Sequence, residues 1–338
     1  MIYLIKNKML GIISIIVIWI SFFVYLFPSY YASELIISFL PYLIVLNFVW
    51  LIYFFIKIRT KKIKEDQAKR SFFSLFVILF GILFLMFSRQ YNHFYNWRWF
   101  EDIQSSTWWA SVKVLFANIH KYNENYTWIK NLIEKNNPDL IMFVEFSEIH
   151  YNNLKDFLKT NYPYINSSTW SKKFIGSMVF SKYKIENRAN NFQQWMWRYS
   201  YFSINNQNLY FYLVHTSSPD SYDHFVMRNN QLNTLRDDFA KHWKYRSGDS
   251  VILIWDFNIS PWSYYYKQLD TTFSWKLVDI TRNFPILFTW RLFNVPIFRS
   301  HIDHLWISLK VRIYDLKSIY IPWSDHRWFI FKVTNNNQ

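Results

Sequence analysis

The 338-residue chain contains no cysteine and only four glycines. Without cysteine there can be no disulfide and no thiolate metal site, so any metal ion must be bound by oxygen or imidazole ligands. Average glycine usage would give about 24 glycines in a chain of this length. The shortage of glycine therefore needs an explanation of its own.

Tryptophan, normally rare, occurs 18 times. Trp255, Trp323 and Trp328 stand at strand ends and turns, where a close approach of the backbone favours glycine. We hypothesise that the gene uses UGA as a glycine codon and that these tryptophans are glycine in the natural protein. The alternative is a protein that is truly rich in tryptophan. The codons at the three positions distinguish the two, and UGG at all of them would exclude recoding.

Three nearly uncharged apolar runs, residues 9–27, 35–56 and 71–88, have about the length that crosses a bilayer as a helix. Lys and Arg are concentrated before the first run and between the second and third, and are absent between the first two. Basic connectors stay in the cytoplasm. We therefore predict three transmembrane helices, a lipid bilayer as partner, and a multi-pass cell-membrane protein whose remaining chain lies outside the cytoplasm.

The rest of the chain is predicted to form one further domain. Residues 1–88 are the predicted membrane anchor, 89–110 a linker rich in aromatic and polar residues, and 111–338 a domain in which strand and helix patterns alternate. The net charge of +15 is compatible with a phosphate-bearing partner, and equally with a solvated lysine-rich surface. No protein partner is inferred.

Polar side chains follow several apolar strands at the point where each strand ends. The clearest case is VILIWDFN at 251–258, where Asp256 and Asn258 follow a run that reads as a buried strand. Any one such residue can be a simple cap, but several together point to chemistry. The set is rich in oxygen ligands and suits a hard cation, Mg²⁺ or Mn²⁺, together with phosphate. Its members are Asn118, Glu145, His215, Asp256, Asn258, Asp303, His304, Asp325 and His326.

The motifs that carry these residues resemble those of the endonuclease/exonuclease/phosphatase superfamily. They are ANIHKYN, PDLIMFVE, SMVFSKYKI, LVHTSSP, WDFNISPWS, SHIDHLWIS and SDHRWF, and they span about residues 111–334. The resemblance implies an α/β (α+β) four-layer sandwich, in which two packed, mainly antiparallel β-sheets are flanked by helices. The chain looks most similar to membrane-anchored bacterial members. It departs from the family at Trp255, where the family has glycine.

The resemblance also implies a role for each residue. Glu145 would bind the metal, with Asn118 and Asp325 as ligands or ligand-orienting groups. Asp256 would position or deprotonate the attacking water, and Asn258 would bind a phosphate oxygen. His215 and His326 would face the scissile phosphate. Asp303 would orient His326, with a strand-end cap as the alternative for Asp303.

We therefore expect a membrane-anchored, Mg²⁺-dependent phosphoesterase. A phosphodiesterase is favoured, acting on nucleic acid or a phospholipid head group by metal-assisted in-line attack of water. The alternative is a catalytically silent, membrane-bound binding or scaffold module with the same fold. Genuine tryptophan at 255 and 328 would favour that alternative.

Overall fold

A computed structural model describes residues 16, 19–20, 22–60, 111–167, 176–187, 200–204, 209–243, 250–273, 276–283, 288–292, 298–320 and 322–335. The chain divides into two compact units. One comprises Met1–Ile103 with Trp262–Tyr264, and the other comprises Gln104–Pro261 with Tyr265–Gln338. The two units are described separately below.

The N-terminal unit includes the helices α1 (Tyr31–Ile37) and α2 (Leu40–Arg59). The apolar run predicted over 35–56 is thus interrupted between Ile37 and Leu40, and α2 includes the polar Asn47 and the charged Lys57 and Arg59. Within the described ranges, no helix has both the length and the apolar character needed to cross a membrane. Residues 71–88, part of 9–27 and the predicted linker at 89–110 lie outside those ranges.

This finding contradicts the prediction of three transmembrane helices. The predictions that followed from it are corrected as well. They are the multi-pass membrane localisation, the extracytoplasmic placement of the second unit and the lipid bilayer as partner.

The second unit is a mixed α/β sandwich of two six-stranded sheets. Its strands are β1 (Val112–Asn118), β2 (Leu140–Phe146), β3 (Tyr164–Ser167), β4 (Gly176–Ser181), β5 (Ile185–Asn187), β6 (Ser200–Ile204), β7 (Leu209–His215), β8 (Ser250–Asp256), β9 (Leu277–Asp279), β10 (Trp290–Arg291), β11 (Arg299–Ser300), β12 (Asp303–Ser308), β13 (Val311–Tyr320) and β14 (Arg327–Asn335). The first sheet has the order β13-β14-β1-β2-β4-β3 and the second β5-β6-β7-β8-β12-β9, while β10 and β11 form a separate pair.

Helices flank these sheets. They are α3 (Tyr126–Asn136), α4 (Glu148–Asn161), α5 (Tyr222–Trp243) and α6 (Tyr264–Phe273), with a 3-10 turn at Thr281–Asn283. Local signals set some of their ends. The Asn125 side chain accepts a hydrogen bond from the Trp128 amide at the start of α3, and Ser147 and His150 form a capping box at the start of α4.

The core has three layers of apolar side chains because both faces of the central strands are covered. Along β1, Val114 and Phe116 face the space between the sheets, and Leu115 and Ala117 pack toward α3 and α4. A third cluster packs α5 and α6 against the outer face of the second sheet. Strands buried on both sides read as continuous apolar runs, which is why VILIWD does not alternate.

Two pairs of parallel strands place the polar strand ends together. β1 is parallel to β2, and β7 is parallel to β8, whereas the other pairings are antiparallel. Parallel neighbours end at the same edge of a sheet. Asn118 and Glu145 therefore emerge side by side from the first sheet, and His215 and Asp256 from the second.

The three tryptophans singled out in the sequence stand in unfavourable surroundings for a tryptophan. Trp323 has a φ of 69° and is 74% exposed, a backbone conformation that favours glycine. Trp255 and Trp328 are fully buried, and their indole N–H groups have no hydrogen-bond partner among the described residues. The Trp255 ring lies only 3.7 Å, centroid to centroid, from that of Phe257, closer than aromatic pairs prefer. These features support the recoding hypothesis, which stays a prediction.

Trp323 offers a direct test. Replacing it by glycine should raise the free energy of unfolding by about 0.5–1 kcal/mol, because relief of the left-handed conformation exceeds the entropy cost of glycine. Asn137, with a φ of 41°, is the matched control, since asparagine tolerates this region and Asn137→Gly should gain less. Urea unfolding of both variants measures the difference, and a destabilised Trp323→Gly would count against a glycine at this position.

Candidate active site

Asn118 lies at the centre of the site and bridges two carboxylates. Its amide nitrogen donates to Glu145 Oε1 and to Asp256 Oδ2, both at 2.9 Å. Its amide oxygen accepts from the backbone N–H of His120 at 2.9 Å, which fixes the orientation of the amide. Asn118 therefore orients the carboxylates, and its own oxygen is already engaged.

Glu145 is held in a strained backbone conformation beside Asn118. Its φ is 56°, and the register of β2 against β4 shifts between Phe143 and Phe146. The second carboxylate oxygen accepts from the Lys121 amide at 3.1 Å. Burial raises the pKa of Glu145, but His215, the Asn118 hydrogen bond and His326 outweigh it and hold the pKa below its ordinary value. The side chain is thus an ionised oxygen donor, and strain of this kind is typical of functional positions.

Asp303, His326 and Asp256 form a buried line of hydrogen-bonding groups. His326 Nδ1 lies 3.0 Å from Asp303 Oδ2, and His326 Nε2 lies 3.6 Å from Asp256 Oδ2. Burial lowers the pKa of His326, but the charges of Asp303 and Asp256 raise it well above its usual value. Burial and the charge of Asp303 raise the pKa of Asp256 to about 6. The imidazole is therefore positively charged and stabilises the two carboxylates.

His215 and Asn258 complete the side of the site that the second sheet supplies. His215 Nε2 lies 3.8 Å from both Glu145 Oε1 and Asp256 Oδ2. Asn258 has a φ of 52°, and its side-chain amide donates to the Thr216 carbonyl at 2.9 Å. The Asn258 backbone N–H donates to Asp256 Oδ1 at 3.2 Å. The loops after β7 and β8 are thus joined directly to each other.

The contacts of the Asp325 carboxylate indicate whether a cation fits the site. Its Oδ2 accepts from the Trp290 indole N–H at 2.8 Å, while its buried Oδ1 has no hydrogen-bond partner in the described part of the chain. A buried carboxylate oxygen without a donor is costly unless a cation or a proton meets it. Together with the ionised Glu145, this donor set fits a hard divalent cation.

Asp256, Asp303 and His326 also bring ligand atoms within 4.8 Å of one another, close enough for a metal ion. However, His326 Nδ1 and the Asp303 carboxylate already bond to each other. Two members of this trio are therefore engaged with each other.

His304, which follows Asp303 in the chain, lies outside the site. Its Nδ1 is 2.9 Å from Asp279 Oδ2 and its Nε2 is 2.9 Å from the Ile259 carbonyl. Burial raises the pKa of Asp279, but His304 outweighs it and lowers that pKa to about 2. These buried contacts of His304 support the loop after Asn258 from behind.

The sequence matches the Endonuclease/Exonuclease/phosphatase family over residues 115–326, more than half of the chain. The chain belongs to this family. It is therefore a metal-dependent phosphoric ester hydrolase. No curated protein matches the chain.

Solved structures of low sequence identity share the fold. Truncated TDP2 of Caenorhabditis elegans is 19% identical with a TM-score of 0.51, and the match covers 66% of this chain and 98% of that chain. TDP2 of D. rerio complexed with single strand DNA product is 14% identical with a TM-score of 0.52, covering 67% and 100%. An AP endonuclease from Archaeoglobus fulgidus is 15% identical with a TM-score of 0.50, covering 65% and 98%.

Sequence reasoning missed two residues of α5 that hold the active-site loops. Arg228 is fully buried, and its Nη1 donates to the Asn258 carbonyl at 2.9 Å, while its guanidinium lies over the rings of Phe225 and Tyr265. One turn further on, Gln231 Oε1 accepts from the Ser217 amide at 2.8 Å. One helix therefore fixes both loops of the second sheet.

The signal for Arg228 was present in the sequence. Phe225 and Leu232 mark the buried stripe of α5, and Arg228 stands three residues after one and four before the other. A charged residue on the apolar stripe of a helix is unusual. It therefore indicates a buried polar partner.

Asp303 and His326 provide a test of their pairing. Asp303→Asn should leave the fold intact and lower turnover of a phosphodiester about 100-fold or more, because the imidazole loses the carboxylate that fixes its charge and orientation. His326→Ala should cost about as much, and the double variant little more than either single one. Turnover is measured beside a melting curve. If Asp303 only caps a strand, about 1 kcal/mol of stability is lost with turnover nearly intact.

Arg228 provides a separate test of loop positioning. Arg228→Met should lower kcat about 10- to 100-fold, because the Asn258 loop loses its anchor and small displacements of reacting groups are costly. Arg228→Lys, which keeps the charge, should recover part of the loss. Arg236, partly exposed on the same helix, is the control. Equal kcat values for Arg228→Met and Arg236→Met would rule out the positioning role.

Proposed function

We propose that the protein is a metal-dependent phosphodiesterase that cleaves its substrate by in-line attack of water. The observation that carries the proposal is the contact of Asn118 with both Glu145 and Asp256. That contact would hold the carboxylate proposed to bind the cation beside the carboxylate proposed to activate water. Phosphoryl transfer requires both groups at the same phosphate.

Glu145 and Asp325 would hold Mg²⁺ or Mn²⁺, with Asn118 orienting the carboxylates. When bound, the cation supplies positive charge to the non-bridging oxygens of the phosphate. The ionised state of Glu145 and the unpartnered Oδ1 of Asp325 support this assignment.

The remaining residues would act on the water and the phosphate oxygens. Asp256 would orient the water and accept its proton, a role that suits a carboxylate whose pKa is raised to about 6. His326, held in its charged form by Asp303, would donate a hydrogen bond to a phosphate oxygen. His215, whose side chain is partly exposed, would also donate to a phosphate oxygen. Asn258 would bind a phosphate oxygen. Residues 111–338 would form the catalytic domain.

The substrate is proposed to be a nucleic-acid phosphodiester. The solved D. rerio TDP2 structure is a complex with a single strand DNA product, and its likeness to this chain lies in the fold. The net charge of +15 suits a polyanion. A phospholipid head group is the alternative phosphodiester.

A catalytically silent module with the same fold is the second candidate. The observation that favours it is the indole of Trp255, buried against Phe257 immediately before Asp256. If tryptophan is genuine at this position, its bulk strains the strand that presents Asp256. The protein with the residues that its codons specify at 255, 323 and 328 separates the two candidates, because only an enzyme hydrolyses a phosphodiester.

Hydrolysis of bis(p-nitrophenyl) phosphate with added Mg²⁺ or Mn²⁺ tests the proposal. We expect activity that is lost on chelation and restored by either cation. Glu145→Gln should abolish it and should also abolish the rise in melting temperature that the cation causes in the unaltered protein. Glu148→Gln, three residues away and exposed, is the matched control and should change neither. Undiminished hydrolysis after complete chelation would refute the metal mechanism.

A further inference from the structure

The short pair of strands β10 and β11 brings two arginines directly opposite each other. Arg291 pairs with Arg299 in the antiparallel register, so their side chains leave the same face. Like charges in this position destabilise a strand pair. The two guanidinium groups therefore repel each other.

A third arginine joins them from β14. The Arg327 amide donates to the Thr289 carbonyl at 2.7 Å, which places the start of β14 against β10. Arg327 pairs with Tyr320 across β13 and β14, and the Arg291 guanidinium lies 4.5 Å from the centroid of the Tyr320 ring. Arg291, Arg299 and Arg327, hereafter the arginine cluster, thus lie on adjoining strands, with Arg291 linked to both of the others through backbone pairing and the Tyr320 ring.

The charges of the cluster act on one another. Burial lowers the pKa of Arg327, and the charges of Arg299 and Arg291 lower it further. Within the described ranges, no carboxylate forms an ion pair with Arg291 or Arg327. An anion would reverse this repulsion, and the planar guanidinium is the side chain best shaped to bind phosphate oxygens.

The cluster is directly connected to the active site. Arg291 Nη2 donates to the Ser324 carbonyl at 2.6 Å, and the neighbouring Trp290 donates to Asp325 Oδ2. Arg327 follows His326 in the chain. A phosphate on the cluster would therefore lie next to the phosphate that Asp325 and His326 face.

We propose that the arginine cluster binds a second phosphate of the substrate, adjacent to the scissile one on a nucleic-acid strand. The inference rests on the proposed phosphodiesterase function and narrows it. A substrate with successive phosphates along one chain occupies both places, whereas a phospholipid with a single diester fills only the first. The enzyme would accordingly prefer an oligonucleotide to an isolated phosphodiester.

Chain length provides the kinetic test. The substrates are bis(p-nitrophenyl) phosphate, the dinucleoside monophosphate of thymidine, and an oligothymidylate of five nucleotides. In the unaltered protein, KM should be lowest for the longest substrate. The double variant Arg299→Gln/Arg327→Gln should raise that KM about tenfold or more and leave both single-phosphate substrates unchanged. Arg291 is retained because it also ties β10 to Ser324.

The matched control removes two positive charges from positions outside the arginine cluster. Arg236→Gln/Arg312→Gln also deletes two arginines, one on α5 and one on β13, and should leave the dependence on chain length intact. Melting temperatures of both double variants identify a loss that comes from unfolding. A KM independent of chain length, or equal effects of the two double variants, would overturn the proposal.

A binding measurement tests the proposal without requiring turnover. A fluorescent ten-nucleotide oligothymidylate is titrated in chelator with Glu145→Gln as background, and log Kd is followed against log salt. Deleting the two arginines should reduce the slope by about 0.7 for each phosphate that they neutralise. An unchanged slope of log Kd against log salt would overturn the proposal that the cluster binds phosphate, even if hydrolysis is never observed. Tighter binding to anionic-lipid vesicles than to the oligonucleotide, abolished in the same variant, would overturn the nucleic-acid assignment.

Discussion

The site depends on holding several buried carboxylates close together against their mutual repulsion. His326 places one positive charge between Asp303 and Asp256, and the Asn118 amide places its two N–H groups between Asp256 and Glu145. Removing either group would leave an uncompensated buried charge. The groups come from both sheets, since Asn118 and Glu145 belong to the first, and Asp256 and Asp303 to the second. The sandwich must therefore be closed for the site to exist.

The loops of the second sheet are held from more than one direction. Arg228 on α5 donates a hydrogen bond to the Asn258 carbonyl. His304, within the sheet, hydrogen-bonds to the next carbonyl, that of Ile259. Both contacts use buried polar side chains, which are expensive to bury and therefore indicate a need for fixed geometry. Such a frame lets Asn258 keep a left-handed backbone conformation that would otherwise relax.

Sequence predicted best what local pattern and strand ends determine. The central strands and the polar residues after them were predictable, because a fully buried strand such as β8 reads as an unbroken apolar run that stops at Asp256. β10 and β11 were not, since two-residue strands exist only through long-range pairing. Arg228 was missed because it was read with the apolar stripe around it. Hydropathy alone also did not reveal the break between Ile37 and Leu40, which divides the run predicted over 35–56.

The direct pairing of Asp303 with Asp256 across β12 and β8 has a consequence for how the gene can vary. A deletion of one residue inside β12 would slip the register and send Asp303 to the opposite face of the sheet, away from His326. A change of length between Asn283 and Phe288 leaves that register in place. Insertions should thus accumulate between strands of this enzyme, while the spacing from Asp303 to the end of β12 stays fixed.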